Sequence, residues 1–336
     1  MLERSRLHAI VDAFSGCRVV LYGDLVLDRF VLGAPKRISR EAPVIILRFE
    51  GQRDLPGGGA NALANIASLG GTPLPVGVVG DDEPGQALLA SLRARGIDVG
   101  SILIAPGFRT VTKVRVVAGG PSSLKHQVAR YDIEDRLAAN DRRLRRVLAT
   151  LATVGAQAAA AAVSDYGYGT VGRAGITALR AAMPAGAPMI VDSRFALASL
   201  VGVDGATPNL EELVAAAGRE LLTDNDVASA AEALRRSMGC RFLIATRGSQ
   251  GSTLVAEGQA AVHLPVYGSD QVADVTGAGD TVLAASALAM AAGASPLEAA
   301  TLANLAGGIV VTKLGTATAS PAELHRAIDS APFLHD

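Results

Sequence analysis

The chain has no tryptophan and only two cysteines in 336 residues. Cys17 and Cys240 stand apart, with neither a CxxC spacing nor histidine companions, so no disulfide framework or zinc site is indicated and both read as reduced core residues. The five histidines are scattered and form no HExxH pair, which leaves no metal site built on His or Cys. Charge of neither sign dominates: 31 Lys and Arg face 32 Asp and Glu, for a net charge of −1. No global field therefore draws nucleic acid or an anionic membrane, and a small-molecule partner is expected. Aromatic residues make up 4% of the chain, so the arginine-rich cluster Asp141 to Arg146 has no stacking platform and reads as a solvated helix face. The most apolar window, Thr281 to Leu297, falls short of spanning length and is interrupted by Ser286, Ser295 and Pro296. It reads as a buried core helix, with no membrane span. The first eight residues lack an apolar h-region or lipidation motif, so the cytoplasm is the expected compartment.

What the chain does have is alternation. Short apolar runs at Arg18 to Tyr22, Pro75 to Val79, Met189 to Val191 and Phe242 to Ala245 are separated by helical patterns at Gln86 to Arg95, Val227 to Met238 and Pro296 to Thr312. Such alternation predicts a mostly parallel sheet covered on both faces, with ligands at the carboxyl ends of its strands. In Gln157 to Val163 alanine propensity favours helix, but its position before Ser164-Asp165-Tyr166 favours a buried strand; strand is the reading taken. Two segments break the rhythm, Phe30 to Glu50 and Thr110 to Ile133. Alternation in Thr112 to Val116 predicts exposed antiparallel strands there, forming one small sheet off the main domain.

The strongest chemical signal is Asp274-Val275-Thr276-Gly277-Ala278-Gly279-Asp280, which runs directly into an apolar helical stretch. Glycines permit a tight turn, and a helix start presents free N–H groups and its positive dipole end to an anion such as phosphate. Asp280 opposes a bound phosphate unless it faces a hydroxyl and removes its proton. Together these features point to phosphoryl transfer to an alcohol.

Other motifs are less specific alone. Gly57-Gly58-Gly59-Ala60-Asn61 opens a helical pattern at Ala62 to Leu69 and permits close ligand approach, with Asn61 able to bond hydroxyls. As a dinucleotide fingerprint it is poor, because Arg53 to Pro56 stand where a buried strand is required; an NAD-dependent dehydrogenase is a distant reading. No GxxxxGK[ST] occurs, which excludes a P-loop. Asp24 and Asp28 either grip vicinal hydroxyls of a polyol or act as turn and cap residues. Thr246 to Gly251 is either a hairpin turn or a phosphate- or ribose-holding loop. Asn209 to Glu212 resembles a capped helix start.

In this order the motifs resemble the ribokinase-like (PfkB-type) carbohydrate kinases over nearly the whole chain. Within that family the pattern is most similar to heptose-7-phosphate kinases, as in Gly23-Asp24 with Asp28-Arg29, Arg37 to Val44, Ser164-Asp165-Tyr166 and Lys313 to Thr316. The resemblance implies a three-layer α/β sandwich with a mostly parallel central sheet and a small β-sheet lid. It implies one kinase domain over 1–336, with the lid inserted as 30–50 and 110–133 and no nucleotidyltransferase domain. It also implies ATP, Mg2+ and, in many relatives, a monovalent cation such as K+. Asp280 then resembles the general base, and the N–H groups of Gly277, Ala278 and Gly279 the anion hole. Asp24, Asp28, Gly57, Gly58, Asn61 and Arg194 would hold the sugar. Asn209, Thr246, Gly248, Gly251 and Asn304 would surround the nucleotide. Glu212, with Asn209 through water, would serve the magnesium ion, and Asp274 the monovalent cation.

Two departures touch the acceptor. Ser164-Asp165-Tyr166 continues with Gly167-Tyr168-Gly169 where the similar kinases have Ala-Lys-Gly, and Asp192-Ser193-Arg194 replaces Asp-Pro-Lys, exchanging an ammonium for a planar fork. The alternatives are therefore a kinase for an unphosphorylated sugar or nucleoside, and a non-catalytic sugar- or nucleotide-binding regulator on the same fold. Edge strands of the lid predict a homodimer through 30–50 and 110–133.

Overall fold

The computed structural model describes residues 2–119, 126–268 and 273–334. Its first half holds strands β1 (Arg18–Gly23), β2 (Leu25–Ile38), β3 (Ile45–Gly58), β4 (Thr72–Val76), β5 (Val78–Gly80), β6 (Leu103–Ala105), β7 (Thr112–Ala118) and β8 (His126–Ile133). The second half adds β9 (Ala160–Asp165), β10 (Met189–Ser193), β11 (Gly205–Ala206), β12 (Phe242–Thr246), β13 (Ser252–Ala256) and β14 (Val262–Leu264). The helices are α1 (Arg4–Asp12), α2 (Gly59–Ser68), α3 (Glu83–Arg93), α4 (Arg143–Gly155) and α5 (Arg173–Ala182). They continue with α6 (Leu210–Ala217), α7 (Asp224–Met238), α8 (Ala278–Ala291), α9 (Pro296–Val310) and α10 (Pro321–Ser330).

Eight strands form the main sheet in the order β14-β13-β12-β11-β10-β9-β1-β4. Pairing is parallel from β4 through β12 and antiparallel from β12 to β14. Side-chain alternation along each strand feeds two cores. Val19 and Leu21 of β1 join Leu63, Leu283 and Leu302 from α2, α8 and α9 on one face. Val20 and Tyr22 join Leu151, Leu179 and Leu234 from α4, α5 and α7 on the other. The result is the expected three-layer α/β sandwich.

The alanine-rich run is a strand, β9, because it lies between β1 and β10 and pairs with both. A helix there would leave two neighbouring ladders without partners. It starts at Ala160, after a turn that takes Gln157 out of it. The window Thr281 to Leu297 divides into α8, apolar on all sides and buried, and α9, whose start is set by a capping box between Ser295 and Glu298. Among the described residues no helix is long and apolar enough to cross a membrane.

The lid differs from expectation in extent and in polarity. Its four strands run in the order β3-β2-β7-β8; β2 starts at Leu25 and β3 continues to Gly58, so both reach well beyond 30–50. The two outer pairings are antiparallel, but β2 and β7 are parallel. Thr112, Lys113 and Val114, read as exposed, are buried, because this end of β7 lies over the carboxyl ends of the main strands. A strand does precede Gly59, yet it is the antiparallel lid strand β3, as the rejection of a dinucleotide site requires. Positions 120–125 of the expected lid lie outside the described residues.

Candidate active site

At the junction before α8, Asp274 ties down the loop: Oδ1 accepts from Thr276 N at 2.9 Å and Oδ2 from Gly315 N at 3.1 Å. Gly277 is the N-cap of α8 at φ +82°, and a Cβ there would overlap the Asn61 amide. Ala278 N donates to Val275 O at 3.3 Å and Thr281 N to Gly277 O at 3.1 Å, which leaves Gly279 and Asp280 as first-turn donors for an anion. Asp280 is 2% exposed. Its Oδ2 accepts from Asn61 Nδ2 at 3.0 Å and its Oδ1 from the Tyr166 hydroxyl at 2.9 Å. Burial raises its pKa to about 7, outweighing these two donors; Asp28 raises it further and Lys113 lowers it. A carboxylate with that affinity for protons is suited to act as a general base near neutrality.

Asp24 and Asp28, alike in sequence, are used differently. The carboxylate of Asp24 accepts from Tyr166 N at 2.9 Å, Tyr168 N at 3.0 Å and Thr170 N at 3.1 Å, so it organises the loop after β9. Asp28 is 3% exposed and accepts from Arg115 Nη2 at 3.0 Å. Gly57, paired with Val26 on the β2–β3 ladder, lies diagonal to it, and any Cβ on Gly57 would overlap the Asp28 carboxylate. Burial raises the pKa of Asp28 in spite of Arg115 and Lys113.

Beside Asp28 opens a cavity of about 720 Å³ lined by charges of both signs. Lys113, Arg130, Arg136 and Arg194 line it together with Asp132, Glu134, Asp135, Tyr166 and Tyr168, and Arg130 is paired with Asp132 at 2.9 Å. Burial lowers the pKa of Lys113, with Asp28 opposing and Arg194 and Arg130 reinforcing the shift. Tyr168, at the position of the missing lysine, donates its hydroxyl to Glu134 at 3.0 Å. With Arg130 paired to Asp132, the lid adds one cation, Lys113, on the side where the loop after β9 has none. A second cleft of about 850 Å³ between residues 136–148 and 169–175 has one acidic liner, Asp141, and that side chain is held by Arg143.

On the other side of α8 lies a largely apolar groove. Thr246, Gly248, Gly251 and Asn304 line it with Ala278 and Gly279, against walls including Val266, Val282 and Val311. Thr246 to Gly251 joins antiparallel β12 and β13, so it is a hairpin and also a wall of this groove. Asn209 bridges to Thr246, and its side chain forms a capping box with Glu212 at the start of α6, as expected. The pKa of Glu212 is raised by burial, and that of Asp192 is raised well above the carboxylate range by burial and by repulsion from Glu212 and Asp280.

Of the anticipated residues, Thr246, Gly248, Gly251, Ala278, Gly279 and Asn304 line the groove, Arg194 lines the cavity, and Asn61 and Gly277 lie against Asp280 between them. Asp28, Gly57, Gly58, Asn209 and Glu212 line neither, Ala278 spends on Val275 O the N–H expected to serve an anion, and Asp24 and Asp274 brace loops that frame the site. Sequence reasoning missed Tyr166, Lys113, Arg115, Arg130 and Asp192 as site residues. Tyr166 was legible as part of the Ser-Asp-Tyr motif, and Asp192 as a polar strand end, whereas the lid cations carried no local signal.

The family described as pfkB family carbohydrate kinase matches residues 18–323. The bifunctional protein HldE of Caulobacter vibrioides is 40% identical over 326 residues, covering 95% of this chain and 65% of the length of that protein. The ribokinase of Arabidopsis thaliana solved with ribose and ATP aligns over 93% of this chain and 98% of its own, with TM-score 0.70 and 20% identity. The phosphofructokinase-2 of Escherichia coli in complex with potassium gives TM-score 0.73 and 22% identity over the same shares.

Proposed function

We propose, for a chain that belongs to the pfkB family of carbohydrate kinases, that it transfers the γ-phosphoryl group of ATP to a hydroxyl of a sugar phosphate, with heptose 7-phosphate as the leading acceptor. The observation that carries this reading is the position of Asp280. Through Gly279 it adjoins the apolar groove, and through Tyr166 it adjoins the charged cavity that holds Lys113 and Arg194. An acceptor whose phosphate lies among Arg194, Lys113 and Arg130 presents a hydroxyl to Asp280, which takes its proton as the hydroxyl oxygen attacks. The N–H groups of Gly279 and Asp280 stabilise the phosphoryl oxygens, since this chemistry depends on positioning and charge stabilisation.

The groove suits a nucleotide: apolar walls for a base, and Thr246, Asn304 and backbone N–H groups for its polar parts. Among the described residues no three His, Cys, Asp or Glu side chains converge as a metal cage. Magnesium is held by one or two carboxylates together with phosphate oxygens and water. Glu212, with Asn209 through water, is the proposed support, and Asp274 is proposed beside a monovalent cation. Exposed apolar side chains on the lid, among them Ile38 at 71% and Phe49 at 66%, support a homodimer through this sheet.

The test is ATP turnover with phosphorylated and neutral sugars, using wild type, Asp280→Asn and Arg194→Ala. The expected result is a loss of roughly 10²- to 10⁴-fold in Asp280→Asn, and a raised KM for the phosphorylated acceptor alone in Arg194→Ala. Equal turnover by wild type and Asp280→Asn overturns the assignment of the base. Preference for a neutral sugar transfers the reading to a neutral-acceptor kinase, which the Tyr168–Glu134 pairing in place of a lysine favours. Binding of ATP and sugar without product would mark a regulator.

A further inference from the structure

Tyr166 is constrained at every part of its side chain and at its backbone. Its N–H is held by Asp24 at 2.9 Å, and the Nζ of Lys113 lies 4.9 Å from its ring centroid. One ring edge packs against Gly58, where a Cβ would stand 3.2 Å from Cε2. The hydroxyl reaches Asp280 Oδ1 at 2.9 Å. Residues from the β1–β2 junction, β3, β7 and α8 therefore converge on Tyr166, whose hydroxyl touches the base.

We propose that Tyr166 is a positioning residue for the reaction, its hydroxyl fixing the plane of the Asp280 carboxylate and keeping that group ionised for proton abstraction. This inference rests on Asp280 being the base. Two donors hold the carboxylate, one on each oxygen: Tyr166 on Oδ1 and Asn61 on Oδ2. Without Tyr166 the group retains one donor and is free to rotate about its last bond. Burial, with Asp280 and Asp192 nearby, holds the phenol well above its ordinary pKa, so it stays a donor at all working pH values. The remaining charged groups acting on Asp280 are Asp28 on β2, Lys113 on β7 and Asp192 on β10. The change Tyr166→Phe leaves all of these in place and removes only a hydroxyl.

The experiment compares Tyr166→Phe, Asp280→Asn and the double variant, with thermal unfolding to verify that each is folded. Loss of a hydrogen bond to a charged group predicts a fall in kcat of roughly ten- to hundredfold in Tyr166→Phe. The KM for ATP should not change. Because the hydroxyl lowers the pKa of Asp280, its removal should move the acid limb of the kcat profile to higher pH. In the Asp280→Asn background the added phenylalanine should cause no further loss. A Tyr166→Phe profile superimposable on wild type, or an equal loss in both backgrounds, would overturn the proposal while leaving Asp280 as the base. Full activity in Asp280→Asn would instead remove the reading on which it rests.

Discussion

Arg115 Nη2 donates to Asp28 Oδ1 at 3.0 Å, between side chains only 12% and 4% exposed. The pair joins lid strand β7 to the root of β2, beside the glycine that leaves room for the carboxylate. Burying both charges is costly, and the raised pKa of Asp28 indicates that Arg115 offsets only part of that cost. Removing one partner is nevertheless worse than keeping both. Arg115→Met should destabilise the fold by about 3 kcal/mol, measured by urea unfolding, and pairing it with Asp28→Asn should recover part of the loss. A change below about 1 kcal/mol would place the pair among weak surface bridges.

The pKa of Asp280, about 7 against an ordinary 3.8, sets two opposite pH dependences. As a base it must be ionised, so kcat should rise as pH increases through about 7. For stability the sign is reversed: a folded-state pKa above the unfolded value contributes stability fully present below about pH 4 and lost as pH rises to about 7. Above that range the buried carboxylate costs on the order of a few kcal/mol. Asp280→Asn should therefore be more stable than wild type at pH 8 and no more stable at pH 4, as chemical unfolding at the two pH values would reveal. Greater stability of wild type at pH 8 would contradict the shift.

The main sheet was legible because its strands are short apolar runs buried on both faces, and the helices between them carry the 3.6-residue period. Asp280, the proposed base, and its glycine turn were legible because they are contiguous. Lys113, Arg115 and Arg130 were not: alternation marks them as strand residues, but which face meets the site depends on the parallel pairing of β2 with β7, whose partners, such as Leu27 and Thr112, are 85 residues apart. Asp24 illustrates the same limit. Its role was open between ligand and turn, and the three N–H groups that claim it belong to a loop more than 140 residues later. The lid boundaries were misplaced because Pro56–Gly58 has the composition of a loop and acquires strand geometry only by pairing with Leu25–Leu27.

Ile38, Val44, Ile45 and Phe49 are exposed on the β2–β3 arm, and Val128 and Tyr131 on β8. Water-facing apolar groups on a sheet with free edges favour a second copy. Light scattering at micromolar concentration should give a dimer mass, and Ile38→Lys with Phe49→Lys should give a monomer. A monomeric wild type would overturn the assembly without touching the chemistry.

Gly277 and Gly218 separate backbone strain from the geometry of the base. Both have left-handed φ, +82° and +65°, so alanine at either position costs about 1–2 kcal/mol. A Cβ on Gly218 meets nothing within 4 Å, whereas one on Gly277 overlaps the Asn61 amide. That amide donates to Gly277 O at 3.3 Å and to Asp280 Oδ2 at 3.0 Å. Displacing it removes one of the two donors to the base, so Gly277→Ala should lower kcat by roughly tenfold or more and shift its acid limb upward. Gly218→Ala should lose comparable stability with turnover intact. Equal turnover in the two variants, at matched stability, would mean that Asn61 does not act on the base through this contact.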